Sequence, residues 1–186
     1  MKSVALGSTN SETQWVYLCG LTPHFDSEQE LRHRRILDII GRTLDIGFLA
    51  IQPEARSAEY GNCLCWPHHT KEEVSDTYKK ILEVIPQKNI AGWIGFSNGG
   101  FFLNYLIQHK ELEVPVISVG ASGYLQYPLS NRLHLMVGKN DQICELVKKL
   151  YNQSLDSPLK TTLLVFEGGH ELPEQPLQEL LKDLSQ

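Results

Sequence analysis

The chain has 186 residues, enough for one domain with a sizeable buried core. With 41% hydrophobic and 21% charged residues it reads as an ordinary soluble globular protein, and a formal net charge of -5 argues against nucleic acid or an anionic membrane as a partner. No apolar run approaches the roughly 20 residues needed to span a bilayer, and the first residues lack the apolar core of a signal peptide, so a cytoplasmic location is expected.

In chain order, residues 4–6 read as a short edge strand and residues 14–19 as a central parallel strand, apolar on both faces. Residues 27–45 follow as a helix. Ser27 with Glu30 forms a capping box, Leu31, Ile36, Leu37, Ile39, Ile40 and Leu44 form the apolar stripe, and Gly47 stops it. Arg32, His33, Arg34 and Arg35 are expected on its wet face. Residues 48–52 are the next strand.

Residues 53–70 show no periodicity but carry Tyr60, Gly61, Trp66 and Pro67, which suits a short cap or substrate-side loop. Cys63, Cys65, His68 and His69 fall in this stretch. Cys-x-Cys is tighter than the usual zinc-ligand spacing and no second ligand cluster accompanies it, so no metal site is expected. Cys19 and Cys144 complete a set of four thiols that does not read as a disulfide framework.

Thr70 with Glu73 makes a second capping box, opening a helix to about residue 85. Strands are expected at 90–96, 114–119, 132–137 and 161–166, and helices at 99–109, 143–152 and 176–184. Strands and helices thus alternate along one domain, 1–186, which implies an α/β fold: a mostly parallel sheet with helices on both faces.

Gly95-Phe96-Ser97-Asn98-Gly99 lies where a strand meets a helix and fits the G-x-S-x-G nucleophile elbow, a sharp turn that lifts a serine clear of the backbone. In parallel α/β sheets the working residues sit beyond the carboxyl ends of the strands. Ser97, Asp141 and His170 all fall there, in the chain order Ser, Asp, His expected of an α/β-hydrolase. His170 would take the serine proton, and Asp141 would hold the imidazole tautomer and stabilise the imidazolium.

Each residue has a plainer reading. Ser97 could be a small turn residue, His170 an exposed loop side chain, and Asp141 the cap of the helix that follows. Coincidence of all three at strand ends in this order favours the triad. His24, His68 and His69 precede the nucleophile, while His109 and His134 lie in a helix and a strand. Asp156 and Asp183 have no strand end to present them.

Acyl transfer also needs donors aimed at the developing oxyanion, each worth about 3 kcal/mol of barrier. The backbone N–H of Asn98 is one candidate. Leu21 N–H, in the loop after the second strand, is the other, with Gly20 allowing close backbone approach.

Together, Leu18-Cys19-Gly20-Leu21, Gly95-Phe96-Ser97-Asn98-Gly99-Gly100, Ala121-Ser122-Gly123-Tyr124-Leu125, Gly138-x-x-Asp141 and Gly169-His170-Glu171 resemble the phospholipase/carboxylesterase family of α/β-hydrolases, which includes acyl-protein thioesterases. The resemblance runs from about residue 15 onward. It implies hydrolysis of small-molecule carboxylic esters or thioesters through an acyl-enzyme, without a cofactor. It also implies Leu21 and Asn98 as oxyanion donors and Trp66 and Tyr124 near the acyl or leaving-group pocket. A monomer or homodimer is expected. The chain departs from the family at Cys19, where histidine is usual, and at Thr22-Pro23, where another glycine is common. It is also shorter, and a reduced cap implies an open site for small acyl groups. Two other functions fit the same residues: a silent hydrolase-fold binding protein, or a hydrolase of amide, lactone or C–C bonds.

Overall fold

The computed structural model describes residues 1–8, 10–86, 89–123 and 131–185. The described elements are β1 (Lys2–Gly7), β2 (Thr13–Leu18), α1 (Glu28–Leu44), β3 (Gly47–Gln52), β4 (Arg56–Ser57), β5 (Cys63–Leu64), α2 (Lys71–Val84), β6 (Asn89–Phe96), α3 (Asn98–Leu106), β7 (Val116–Val119), β8 (Arg132–Gly138), α4 (Cys144–Ser154), β9 (Lys160–Phe166) and α5 (Glu174–Leu184). Seven strands form one sheet in the order β1-β3-β2-β6-β7-β8-β9. Only β1, at the edge, runs antiparallel, against β3.

This order places the site. From β2 the chain crosses through α1 to β3 on one side, then returns through α2 to β6 on the other. Right-handed crossovers running in opposite directions put α1 and α2 on opposite faces. Helix α5 packs with α1, and α3 with α2. The direction changes between β2 and β6, and the crevice beyond the carboxyl ends at such a point is where α/β sheets bind ligands. The strands there are buried on both faces: Trp15, Val16, Tyr17 and Leu18 of β2 and Trp93, Ile94 and Phe96 of β6 are all in the core.

Helix α1 departs from its expected face. Ile36, Leu37 and Ile40 are buried, but Leu31 and Ile39 are exposed, and Glu30, His33 and Arg34 are buried instead. The wet face therefore loses two of its four basic residues. Arg34 donates to Phe25 O at 2.8 Å and Asp26 Oδ1 at 2.7 Å, with its guanidinium 4.4 Å from the Phe25 ring. His33 Nδ1 lies 2.9 Å from Tyr17 Oη. Partners of this kind are what allow polar side chains to be buried. The capping box is only half made. Ser27 Oγ accepts from Glu30 N at 3.4 Å, while the Glu30 carboxylate turns inward to Tyr17 and His33.

Helix α1 ends on Asp45, in the left-handed region at φ 56, and not on Gly47, which already belongs to β3. Aspartate tolerates that conformation where most residues do not. At α2 the capping box is complete, with Thr70 and Glu73 bonded reciprocally. The 53–70 segment carries a small hairpin, β4 paired with β5, and an isolated bridge from Leu64 to Thr22 ties it to the loop after β2. Among the described residues no helix is long and apolar enough to cross a membrane.

Candidate active site

Strand β6 ends at Phe96 and helix α3 begins at Asn98, so Ser97 must turn the chain alone. It does so at φ 49, ψ -116, a conformation a side-chain-bearing residue rarely adopts. Such strain costs of order 1–3 kcal/mol and persists only when the surroundings over-determine it. Here Ser97 N donates to Val119 O at 2.8 Å and Ser97 O accepts from Phe101 N at 2.9 Å. The flanking glycines are sterically required. A Cβ on Gly95 would lie 2.5 Å from Gly99 O, and one on Gly99 would lie 2.3 Å from Leu18 O.

Asp141 follows β8, and His170 follows β9, its neighbour in the sheet. His170 Nδ1 lies 2.7 Å from Asp141 Oδ2, and the Asp141 side chain has no solvent exposure against 39% for His170. An ionised carboxylate only accepts, so Nδ1 carries the proton and Nε2 is left free to act as a base. Asp141 Oδ1 accepts from Ile143 N at 3.1 Å in an Asx turn ahead of α4. Asp141 is therefore not the cap of α4, which starts at Cys144 with Ile143 at its N-cap and no side-chain cap bond; it holds the turn before the helix instead. The His170 ring sits 5.0 Å from the ring of Phe96, the residue before Ser97, which brings the imidazole to the elbow.

The loop after β2 reaches the same place because of strand register. Leu18 pairs with Gly95, so the chain leaves β2 beside the end of β6. A Cβ on Gly20 would fall 3.0 Å from Phe96 Cδ1 and 3.2 Å from Ser97 Cβ. Asn98 opens α3, and its N–H is one of the donors that the first helical turn leaves without an intrahelical partner. Such donors, aligned with the helix dipole, favour an anion at this end.

Trp66 is fully buried. Its indole Nε1 donates to Cys19 O at 2.9 Å, and its backbone N donates to Asn98 Oδ1 at 2.6 Å. It borders a cleft of about 390 Å³ that also involves Tyr60, His68, His69 and Asn98. His68 Nδ1 donates to Trp66 O at 2.8 Å. Tyr124, the other residue expected at the pocket, lies outside the described residues. A second cleft, of about 320 Å³, adjoins His170 and is shared with His33, Arg32, Glu171 and Leu172.

Behind the elbow lies a buried polar cluster where an apolar helix face was expected. Tyr17, Glu30 and His33 converge there, and the His33 ring lies 4.5 Å from Phe96. Burial, and then the nearby Glu30 charge, pushes the Tyr17 hydroxyl well above its ordinary pKa. Burial does the same to the Cys19 thiol. A signal was present: the spacing of Leu37 and Ile40, extended back by helical turns, lands on Glu30 and His33.

Over residues 11–179 the chain matches the family described as serine hydrolase (FSH1). No curated protein matches it. Among solved structures it resembles acyl-protein thioesterase 2 of Zea mays, with TM-score 0.67, 15% identity, and coverage of 99% of this chain and 97% of that one. It resembles the Bacillus cereus carboxylesterase with TM-score 0.69 at 16% identity, covering 100% and 93%. For a carboxylesterase from Mesorhizobium loti the TM-score is 0.68 at 11% identity, covering 94% and 88%. At these identities the likeness is one of fold, and it agrees with the family resemblance read from the motifs. The family match spans nearly the whole chain, which therefore belongs to the FSH1 serine hydrolase family and carries an α/β-hydrolase fold.

Proposed function

We propose that the protein hydrolyses small-molecule carboxylic esters or thioesters through an acyl-enzyme on Ser97, with His170 as general base and Asp141 as its orienting partner. The observation that carries this reading is the strained Ser97 at the strand-to-helix turn, with the bonded His170–Asp141 pair brought to it across Phe96. Backbone strain that the surroundings hold in place clusters at working sites.

In the proposed cycle Ser97 Oγ attacks the acyl carbon and its proton passes to His170 Nε2. The carbonyl oxygen becomes an oxyanion facing the Leu21 and Asn98 N–H groups. Collapse breaks the bond to the leaving alcohol or thiol, which takes the proton from Nε2. Water then attacks the acyl-enzyme by the same route, releasing the acid and restoring Ser97. No cofactor enters this chemistry. The 53–70 segment acts as a substrate-side wall, within a single catalytic domain. The small size of its hairpin supports small acyl groups as substrates. Four unpaired cysteines support the cytoplasm as the compartment.

A fluorophosphonate probe tests this directly. Labelling of the wild type that Ser97→Ala abolishes, together with turnover of nitrophenyl acetate or an acetyl thioester, supports the reading. A wild type that is neither labelled nor active is instead a silent hydrolase-fold binding protein.

A further inference from the structure

We propose that Trp66 is a positioning residue that sets the spacing between the two oxyanion donors. The proposal rests on the hydrolase reading above. Leu21 lies in a loop, and a loop donor is useful only if it is held where charge develops. Both flanks of the Gly20-Leu21 pair are fixed by the 63–66 segment. On one side, Trp66 Nε1 donates to Cys19 O at 2.9 Å. On the other, Leu64 N donates to Thr22 O at 2.7 Å, and Thr22 N to Leu64 O at 3.4 Å. The Thr22 hydroxyl adds a bond to Ser27 Oγ at 2.7 Å, at the cap of α1.

The same tryptophan is tied to the second donor. Trp66 N donates to Asn98 Oδ1 at 2.6 Å, and Asn98 Nδ2 donates to Trp66 O at 3.5 Å. Asn98 thus serves twice, through its side chain as the anchor for Trp66 and through its backbone N–H as the donor. One buried residue is therefore bonded to the carbonyl two residues before Leu21 and to the side chain of Asn98. The indole packs 5.8 Å from the Phe102 ring of α3, which fixes its tilt. A buried indole N–H finds an acceptor wherever it sits; what points to this role is that its acceptor and the partner of the Trp66 backbone N–H belong to the two loops that carry Leu21 and Asn98.

The test is Trp66→Phe, which keeps an aromatic ring and removes the N–H. Trp93→Phe, at an equally buried indole in β6, controls for lost core volume. For Trp66→Phe the expected results are a fall in kcat of about ten- to hundredfold with KM within about twofold. Phenylboronic acid, whose tetrahedral adduct puts an oxygen in the oxyanion site, should lose affinity by a similar factor. Amide exchange across residues 19–22 should speed up. Trp93→Phe should leave kcat within about twofold.

The proposal is overturned if Trp66→Phe keeps wild-type kcat and boronate affinity, or if Trp93→Phe loses as much activity. Should Trp66→Phe not fold, Asn98→Ala decides, because it cuts the other end of the tie while leaving the backbone N–H. It should show the same fall in kcat at constant KM, and wild-type kcat would overturn the proposal. A wild type that no fluorophosphonate labels removes the hydrolase reading and this role with it. A labelled wild type with an unaffected Trp66→Phe removes this role alone.

Discussion

Asp141 is fully buried and receives His170 Nδ1 at 2.7 Å, while its other oxygen holds the Ile143 amide at 3.1 Å. The carboxylate is thus fixed by its own loop before it orients the imidazole. Asp141→Asn can still accept from Ile143 N, so the loop should keep its shape. The histidine, however, would be driven to the wrong tautomer. The expected result is a loss of about 10⁴ in kcat with little change in thermal stability. Steady-state kinetics and a melting curve check both halves, and full activity in this variant would remove Asp141 from the triad.

In the proposed role of general base His170 would work only when neutral. The rate should therefore fall on acidification, as the imidazole takes a proton, and recover on return to neutral pH. A pH–rate profile flat through the acid range would exclude this role.

The elbow should tolerate no side chain at Gly99. An added Cβ would meet two backbone oxygens, Leu18 O at 2.3 Å and Cys19 O at 2.7 Å, and neither can swing aside. Gly99→Ala should cost about 3 kcal/mol in urea unfolding and displace the Ser97 turn, with activity falling as well. A stable, active Gly99→Ala protein would show that the turn is softer than its packing implies.

Substrate size is the open variable of the proposed reaction. With only a two-stranded hairpin in the 53–70 segment, acetyl and butyryl esters should be turned over faster than long-chain esters. Nitrophenyl esters of graded length measure this, and a preference for long chains would reverse the assignment.

Alkaline pH should destabilise the fold through Tyr17 and Cys19. Burial raises both pKa values, so folded and unfolded states bind protons equally at neutral pH. Above about 8.5 for a free thiol and about 10 for a free tyrosine, the unfolded chain loses protons that the folded chain keeps. The stability these groups contribute is present below those values and is lost as pH rises toward the folded-state pKa. Urea unfolding between pH 7 and pH 10.5 should show the decline. Tyr17→Phe should flatten its upper part, and an unchanged slope would assign the loss to other groups.

The local grammar of the chain was legible because it rests on nearest-neighbour physics. Short continuous apolar runs specify the central strands, Thr70 with Glu73 specifies the start of α2, and glycine is the only residue type the elbow accepts at 95 and 99. The order of Ser97, Asp141 and His170 follows from which strands they end. Other features depended on what lies opposite in space. Helical spacing puts Glu30 and His33 on the inner face of α1, but nothing local says what satisfies them there, since that depends on Tyr17 waiting across the interface with a hydroxyl. Nor does sequence spacing reveal that Trp66 bonds both Cys19 and Asn98, because those partners lie 47 and 32 residues away. Secondary structure and the sharp glycine-flanked turn at Ser97 follow from short-range sterics and periodicity. The buried polar cluster and the bonds that tie Trp66 to the loop after β2 exist only once the assembled sheet brings distant donors and acceptors into reach, and the β2–β6 register is a property of that sheet.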